Sequence, residues 1–538
     1  MPLPSLPPIH TDLLSRAVYA EGAGIARALP EAVMVARDAS DVEAIVRWAA
    51  GRGQPVIARG SGSGMAGGAV GHGTILDLSR LDAIGDVDVP RRRVWAGAGA
   101  VRAAVDERAR SHALRLPVDP SSGSFCTVGG MAATNAAGAH TLRYGAMRAW
   151  VTALDCVFDD GTRAVVRRGG PVPSEVPAVR RFLDRAHAAV LADGSRAVHA
   201  GVRKDSSGYA LAEYARSGEL VDLLVGSEGT LALFVGVEVA LDPVPGATSS
   251  LLAEFSSLER AVDAATRARV AGASACELLD RTFLDVAAQG SAGPAVDPGA
   301  EAALLVEVEG ADAVAAAEVA RALAATFDRA GATRVRLALD PDAERELWEL
   351  RHAASPILAR LDPALKSMQF IEDGAVPPDR LPDYVRGVRR ALEARGIRGV
   401  IFGHAGDAHV HVNPLVDVRL PDWRERVRGV LDDVTALVAR LGGTLAGEHG
   451  DGRLRTPLLD RVWPESALRL FRLVKGAFDP RGILNPGVKV PLPEQRPIDE
   501  IKYDPSLPPL PAAARGALDA VERDRAYAML RLSLLERR

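Results

Sequence analysis

Residues 55–68 read Pro55-Val56-Ile57-Ala58-Arg59-Gly60-Ser61-Gly62-Ser63-Gly64-Met65-Ala66-Gly67-Gly68, a short apolar run that opens into a glycine loop. Gly62 to Gly67 match the G-x-G-x-x-G pattern, and Asp82 lies near the spacing of the acidic residue in the dinucleotide fold. That fold requires a helix to open at the loop. Here Gly67, Gly68, Gly71 and Gly73 are too many glycines for a helix, and the chain runs on into Thr74-Ile75-Leu76. The reading is therefore strand, glycine loop, strand. Successive backbone N–H groups in such a loop form a nest for phosphate oxygens, with Arg59 placing a charge at its edge. Upstream, Ser40-Asp41-Val42-Glu43 has capping-box spacing, and Val42, Ile45, Val46 and Ala49 recur at helical intervals, so a helix starting at Ser40 is expected. Downstream, strands are expected at Thr74–Leu78 and Arg93–Ala96 and a helix at Val101–Ser111. A second small-residue stretch from Pro120 to Gly138 nearly lacks large side chains, which a closely approaching ligand or backbone explains. Val225-Gly226-Ser227-Glu228-Gly229-Thr230-Leu231 is a third small-residue turn. Three such loops suffice to line one extended ligand.

The chain has 538 residues, 48% hydrophobic and 25% charged, too many for one core. Its 65 basic and 69 acidic side chains leave a net charge of -4 without basic runs, which argues against a nucleic-acid partner. No apolar run reaches the roughly 20 residues of a membrane helix. A cytoplasmic protein is expected, with peripheral attachment at the inner membrane as the variant. Cys126, Cys156 and Cys276 are too far apart for a thiolate metal site or an iron–sulfur cluster within this chain. Ala-Leu-Asp-Pro-Val-Pro-Gly-Ala at 240–247 marks a boundary. The expected organisation is an N-terminal segment 1–35, a ligand-binding domain 36–243, a second domain 244–490 with helices on one face of a sheet, and a tail 491–538. The tail combines a Pro-rich linker with a docking helix on whose face Leu518, Val521, Ala528, Leu532 and Leu535 fall.

Four of the 11 histidines fall in His404-Ala405-Gly406-Asp407-Ala408-His409-Val410-His411-Val412-Asn413 and Gly447-Glu448-His449-Gly450. Between the motifs, Val427, Val430, Val434, Leu437 and Leu441 mark an amphipathic helix stopped by Gly442-Gly443, so both motifs can return to one end of a helix–strand unit. Imidazoles with a carboxylate suit a divalent metal, and a hydrogen-bonded structural cluster is the alternative. Upstream, Arg351 and Ser355 sit one helical turn apart and Lys366 follows, a candidate carboxylate anchor.

The order RGSGSGMAGG, DPSSGSFCTVGGMAATNAAG and VGSEGTL resembles the FAD-binding domain of the vanillyl-alcohol oxidase/p-cresol methylhydroxylase superfamily. The two histidine motifs and FDPRGILNPGVKV at 478–490 resemble the C-terminal domain of its FAD-linked 2-hydroxyacid dehydrogenases, the branch with D-lactate, glycolate and D-2-hydroxyglutarate dehydrogenases. The resemblance spans about residues 30–490. It implies an α+β fold: a two-subdomain FAD-binding domain of the p-cresol methylhydroxylase type plus a C-terminal α+β substrate domain with an antiparallel sheet. By it, Arg59, Gly60, Ser61, Gly62, Ser63 and Gly64 hold the FAD pyrophosphate, and Pro120, Ser121, Gly129, Gly130, Thr134 and Asn135 follow the flavin and ribityl chain. Gly226, Glu228, Gly229 and Thr230 close the pocket, with Asn485, Pro486 and Lys489 near the flavin. No histidine falls within 59–68, so FAD is expected to be non-covalent. The family motif H-x-G-D-G-N-x-H and G-E-H-G-x-G assigns a divalent ion, commonly zinc, to His404, His411 and Glu448, and the base to His449. It assigns the substrate carboxylate to Arg351, Ser355, Lys366 and Asn413. Two positions depart from it, Ala408 for glycine and His409 for asparagine. On one straight strand His409 and His411 share a face and His404 points away. His409 thus rivals His404 as ligand unless the chain bends at Gly406.

The expected activity is FAD-dependent oxidation of a D-2-hydroxy acid, D-2-hydroxyglutarate or D-lactate first, to the 2-oxo acid. Electrons pass to a quinone, an electron-transfer protein or an iron–sulfur partner chain, and a homodimer is a further expectation. Alternatives are glycolate or another oxidase, an alkylglycerone-phosphate-synthase-like flavoenzyme, or the flavin subunit of a larger electron-transfer complex docked through the tail.

Overall fold

The computed structural model describes residues 6–288, 296–358 and 364–536, with the side chains of 352–358 and 536 outside that set. Strand Thr74–Asp77 lies between Ala32–Val35 and Val56–Arg59 in a three-stranded parallel sheet, in register Ala32↔Thr74 and Val56↔Thr74. These strands are short and apolar because both faces are covered. One face buries Met34, Val56 and Leu76 against Val42, Ile45, Val46 and Ala49 of the helix Ala39–Ala50. The other buries Val33, Ile57 and Ile75 against Ala17, Val18 and Tyr19 and against Ala514 and Ala517 of the tail. The helix starts before Ser40: Asp38 is extended and its carboxylate accepts the Asp41 N–H at 3.0 Å, so Asp38 is the cap.

A four-stranded antiparallel sheet follows, in the order Arg93–Gly97, Leu233–Ala240, Val151–Val157, Arg163–Arg167. Its core takes in Val128 and Met131 of the helix Val128–Thr134 and Val179 and Phe182 of Pro177–Arg185. Phe471 and Phe478 of the helix Glu465–Phe478, which the sequence groups with the second domain, also lie in this core.

Residues 247–417 supply an eight-stranded antiparallel sheet. Leu251, Ala253, Leu278, Leu304 and Val306 face the helices Leu258–Val270, Ala313–Arg329, Leu381–Glu393 and Trp423–Leu441. Leu252, Leu279 and Leu305 face Arg281–Ala287 and Pro341–Leu358. Helices therefore cover both faces, not one. The strand Ala302–Gly310 carries consecutive apolar residues because neither face meets water. The tail also differs from expectation. Its helix Ala512–Asp524 ends at Arg525, with φ +53, so Leu518 and Val521 belong to the helix while Ala528 and Leu532 fall beyond it. It docks on this chain's own first domain, where Tyr527 packs on Phe125 with ring centroids 5.1 Å apart. No helix among the described residues is long and apolar enough to cross a membrane.

Candidate active site

The strands Arg398–His404 and His409–Asp417 form an antiparallel hairpin closed by a 3-10 turn at Ala405–Asp407 and by Ala408 in the left-handed region. His404 pairs directly with His409, and Phe402 with His411. Directly opposed residues share a face, and so do residues two apart on one strand. The hairpin thus brings all three imidazoles together, because the chain bends back on itself in the turn centred on Gly406. Ring centroids are 5.3 Å apart for His404–His409, 5.3 Å for His404–His411 and 4.7 Å for His409–His411.

Glu448 enters from the loop after Thr444. Its Oε1 lies 3.5 Å from His404 Nε2 and 3.3 Å from His411 Nε2. Two ligand atoms at ordinary zinc distances and a tetrahedral angle are ~3.3 Å apart, so the donor set fits a divalent ion. The outer nitrogens are tied. His404 Nδ1 meets Glu277 Oε1 at 2.5 Å, and His411 Nδ1 donates to the Glu372 carbonyl at 3.1 Å. Both acceptors fix the proton on Nδ1 and turn the Nε2 lone pair inward, the arrangement that orients metal-binding histidines. His409 Nε2 in turn donates to Asp373 Oδ1 at 2.9 Å. The Asp373 carboxylate also accepts the backbone N–H groups of Glu448 and His449, which locks the Glu448 loop to the hairpin.

His449 completes the cluster, with Nδ1 2.7 Å from Glu372 Oε2 and Nε2 3.6 Å from Glu448 Oε1. Burial pulls its pKa down, but the Glu372 and Asp373 carboxylates overcome that and lift it to about 10. Positive charge placed beside it opposes that lift.

Lys204, which the sequence analysis passes over, is buried with Nζ 2.7 Å from Glu448 Oε2. Burial raises the Glu448 pKa, and the Lys204 ammonium leads the interactions that instead hold it well below the ordinary carboxylate range. Arg351 lies next to the cluster: its Nε donates to Glu277 Oε2 at 2.8 Å and its guanidinium covers the Phe402 ring at 4.6 Å. Asn413 lies two residues beyond His411 and shares its strand face. Lys366 is not brought in. It pairs with Val416, one residue out of phase with His411 and Asn413, and its Nζ lies over Tyr503 at 5.8 Å. The Ser355 side chain lies outside the described residues.

His449 is also a wall of a cavity lined by Gly60 and Gly64 of the first loop, Gly129, Gly130 and Thr134 of the second, and Gly229 of the third. The second loop folds into the helix Val128–Thr134, capped by Thr127, whose hydroxyl accepts the Gly130 N–H. A Cβ at Gly129 would stand 2.6 Å from the Ala98 carbonyl oxygen, so glycine here lets helix and strand meet. Several polar residues expected against the cofactor also brace these loops, and Arg59 and Glu228 line the cavity as well. Buried Arg59 donates to the carbonyls of Tyr19, Glu21 and Ala69, holding the first loop from behind. Asn135 ends the helix at φ +53 and accepts the Arg148 N–H. Glu228, on the cavity wall, accepts the N–H groups of Asp451 and Gly452 and pairs with Lys489 at 3.0 Å. Thr230 bonds to Tyr209 and the Ser227 carbonyl, and Asn485 bridges the Gly68 and Glu228 carbonyls. Ser61 and Ser63 bond to each other. Gly62, Pro120, Ser121 and Gly226 are outside the cavity lining. His72 is paired at the surface with Glu500.

Residues 30–167 match the family described as FAD binding domain, and residues 244–488 match FAD linked oxidases, C-terminal domain. The chain is 32% identical over 454 residues to the D-lactate dehydrogenase of Archaeoglobus fulgidus, covering 84% of this chain and 89% of that one. It is 30% identical over 496 residues to the glycolate oxidase subunit GlcD of Escherichia coli K12, covering 91% and 89%. A D-2-hydroxyglutarate dehydrogenase of Pseudomonas putida is 29% identical over 512 residues, covering 89% of this chain and 50% of that protein. Among solved structures, p-cresol methylhydroxylase with substrate bound superposes with a TM-score of 0.65 at 13% identity, over 90% of this chain and 94% of that one, which shows the shared fold.

Proposed function

The chain belongs to the FAD-linked 2-hydroxyacid dehydrogenases, and from that premise we propose that it oxidises a D-2-hydroxy acid, D-2-hydroxyglutarate or D-lactate foremost, to the 2-oxo acid. His404, His411 and Glu448 hold a divalent ion, zinc in the first place. The observation that carries this reading is the double position of His449, which stands 3.6 Å from Glu448 and forms a wall of the glycine-lined cavity. A substrate bound beside His449 would reach both the residues that would hold the ion and the cavity that the cofactor would fill.

Non-covalently bound FAD supplies the hydride acceptor. The ion, when bound, supplies a Lewis acid that lowers the pKa of the substrate hydroxyl. The remaining work falls to side chains. His449, anchored through Nδ1 on Glu372, takes the hydroxyl proton at Nε2. Arg351, braced through Nε on Glu277, offers the terminal nitrogens of its guanidinium to the substrate carboxylate, with Asn413 beside it on the His411 face. Lys204 keeps Glu448 anionic and in place.

The test is an anaerobic visible spectrum of the FAD-loaded protein with D-2-hydroxyglutarate, D-lactate and glycolate in separate cuvettes. Bleaching of the flavin band by D-2-hydroxyglutarate or D-lactate is expected, with the bleaching rate lost on chelation and restored by zinc. A flavin that neither acid reduces refutes the substrate reading, and a rate indifferent to chelation removes the ion from the reaction.

A further inference from the structure

The hairpin carries one imidazole more than the ion site assigned above uses. His409 is fully buried, and its Nδ1 has no hydrogen-bond partner among the described residues. A buried polar atom left unpaired costs about 1–3 kcal/mol, so such an atom calls for a partner the protein does not itself supply. The chemistry of this nitrogen is fixed by its neighbour. His409 Nε2 lies 2.9 Å from Asp373 Oδ1, so Nε2 carries the proton and Nδ1 carries a lone pair. The acceptor is doubly constrained, because the Asp373 carboxylate also holds the backbone N–H groups of Glu448 and His449. The ring therefore cannot turn over without breaking the contact that sets the Glu448 loop.

The imidazole stands among the residues that would hold an ion. One ligand atom from each of His404, His409, His411 and Glu448 lies within 4.8 Å of every other, and these residues are buried or nearly so. All three imidazoles follow the same rule: the outer nitrogen donates to a carboxylate or a carbonyl, and the inner nitrogen is a lone-pair donor. His409 differs only in presenting Nδ1 rather than Nε2.

We propose that His409 is a fourth protein ligand, through Nδ1, so that this chain holds its ion with three histidines and a glutamate. The proposal deepens the functional reading and rests on its ion site. Four protein ligands fill a tetrahedral sphere, so the ion takes substrate only by expanding to five or six positions. The site is accordingly suited to an ion that tolerates higher coordination, and holds it more tightly than a three-ligand set.

The test uses the FAD-loaded full chain, stripped of divalent ions and titrated with Co(II) against a chelating competitor, with the visible absorption of bound Co(II) as a second readout. His409→Asn keeps a polar side chain in the hairpin but loses the imidazole. It is expected to weaken Co(II) binding by tenfold or more and to change the Co(II) absorption, while FAD content and the thermal unfolding of the ion-free form stay near the parent's. His409→Gln serves if the asparagine variant loses FAD. Glu448→Gln reports on the ion site itself. If Co(II) binds the parent, is lost in Glu448→Gln, and is held by the His409 variant with less than tenfold loss or an unchanged spectrum, His409 is not a ligand and the three-ligand reading stands. If the parent binds no Co(II), both readings fall.

Discussion

The two walls of the active site are made by opposite means. On the hairpin side, side chains do the work, and each is aimed by a partner on another element: His404 by Glu277, His411 by the Glu372 carbonyl, His449 by Glu372. On the cofactor side the wall is largely backbone, and the polar side chains among the glycines mainly brace the loops, as Arg59, Asn135 and Asn485 do. A functional group placed by side chains needs a shell of buried charges behind it. A surface made of backbone needs few large side chains, with polar residues tied to the loops to hold the curve.

That contrast sets the order of expected effects. Removing a group from the hairpin side acts on chemistry: His449→Gln should slow flavin reduction by substrate by about 100- to 10,000-fold while FAD content is kept, as read by anaerobic stopped-flow absorbance. A near-parental rate would take the base away from His449. Adding a group to the cofactor side should act on binding and stability. Gly129→Ala puts a methyl 2.5 Å from the Ala98 Cβ and should cost about 1–3 kcal/mol and release FAD, as read by thermal unfolding and flavin absorbance. An alanine variant with full FAD content would show that the wall yields, and the contrast would fail on that side.

From one domain to the other, His140 of the first is clasped by Asp119 at 2.5 Å and by Glu307 of the second domain's sheet at 2.8 Å. Burial lowers its pKa, and the two carboxylates outweigh that and raise it from 6.5 to about 11. A raised pKa contributes stability that is full below about 6.5 and is lost as pH climbs toward 11. His140→Gln should therefore flatten the fall in stability between pH 7 and 10 and lower stability at pH 7, followed by denaturant unfolding at a series of pH values. The smallest effect belongs to Lys366. Lys366→Ala should leave KM for the hydroxy acid within twofold in steady-state assays, and a large rise would place its ammonium on the His411 face after all.

The sequence discloses the hairpin side through residue identity: four histidines and a glutamate in two short motifs announce their chemistry wherever they lie. It also discloses the helix Trp423–Leu441 and its stop at Gly442, where φ is +69, because the apolar period and the glycine are local signals. The partners that aim the cluster are a different matter. Glu277 is 127 residues from His404, and Lys204 meets Glu448 across the domains, so no spacing connects either pair. For Glu277 a signal was present, a carboxylate inside the apolar strand Ala275–Asp280, where a charge survives only if paired. Lys366 shows the converse case. A rare lysine near an arginine looks like an anchor, but strand phase decides which face it joins, and phase is set by pairing with Val416 rather than by composition.

The direct pairing of His404 with His409 turns the length of the Ala405–Ala408 turn into part of the chemistry. Strand partners work like the teeth of two racks: slipping one by a single residue moves every side chain on it to the other face. One residue gained or lost in that turn would send His409, His411 and Asn413 through the sheet together, although every one of them would still be present in the sequence. The interval between the histidines is thus as much a part of the site as the histidines themselves, and an insertion or deletion that spares every one of them can still erase it.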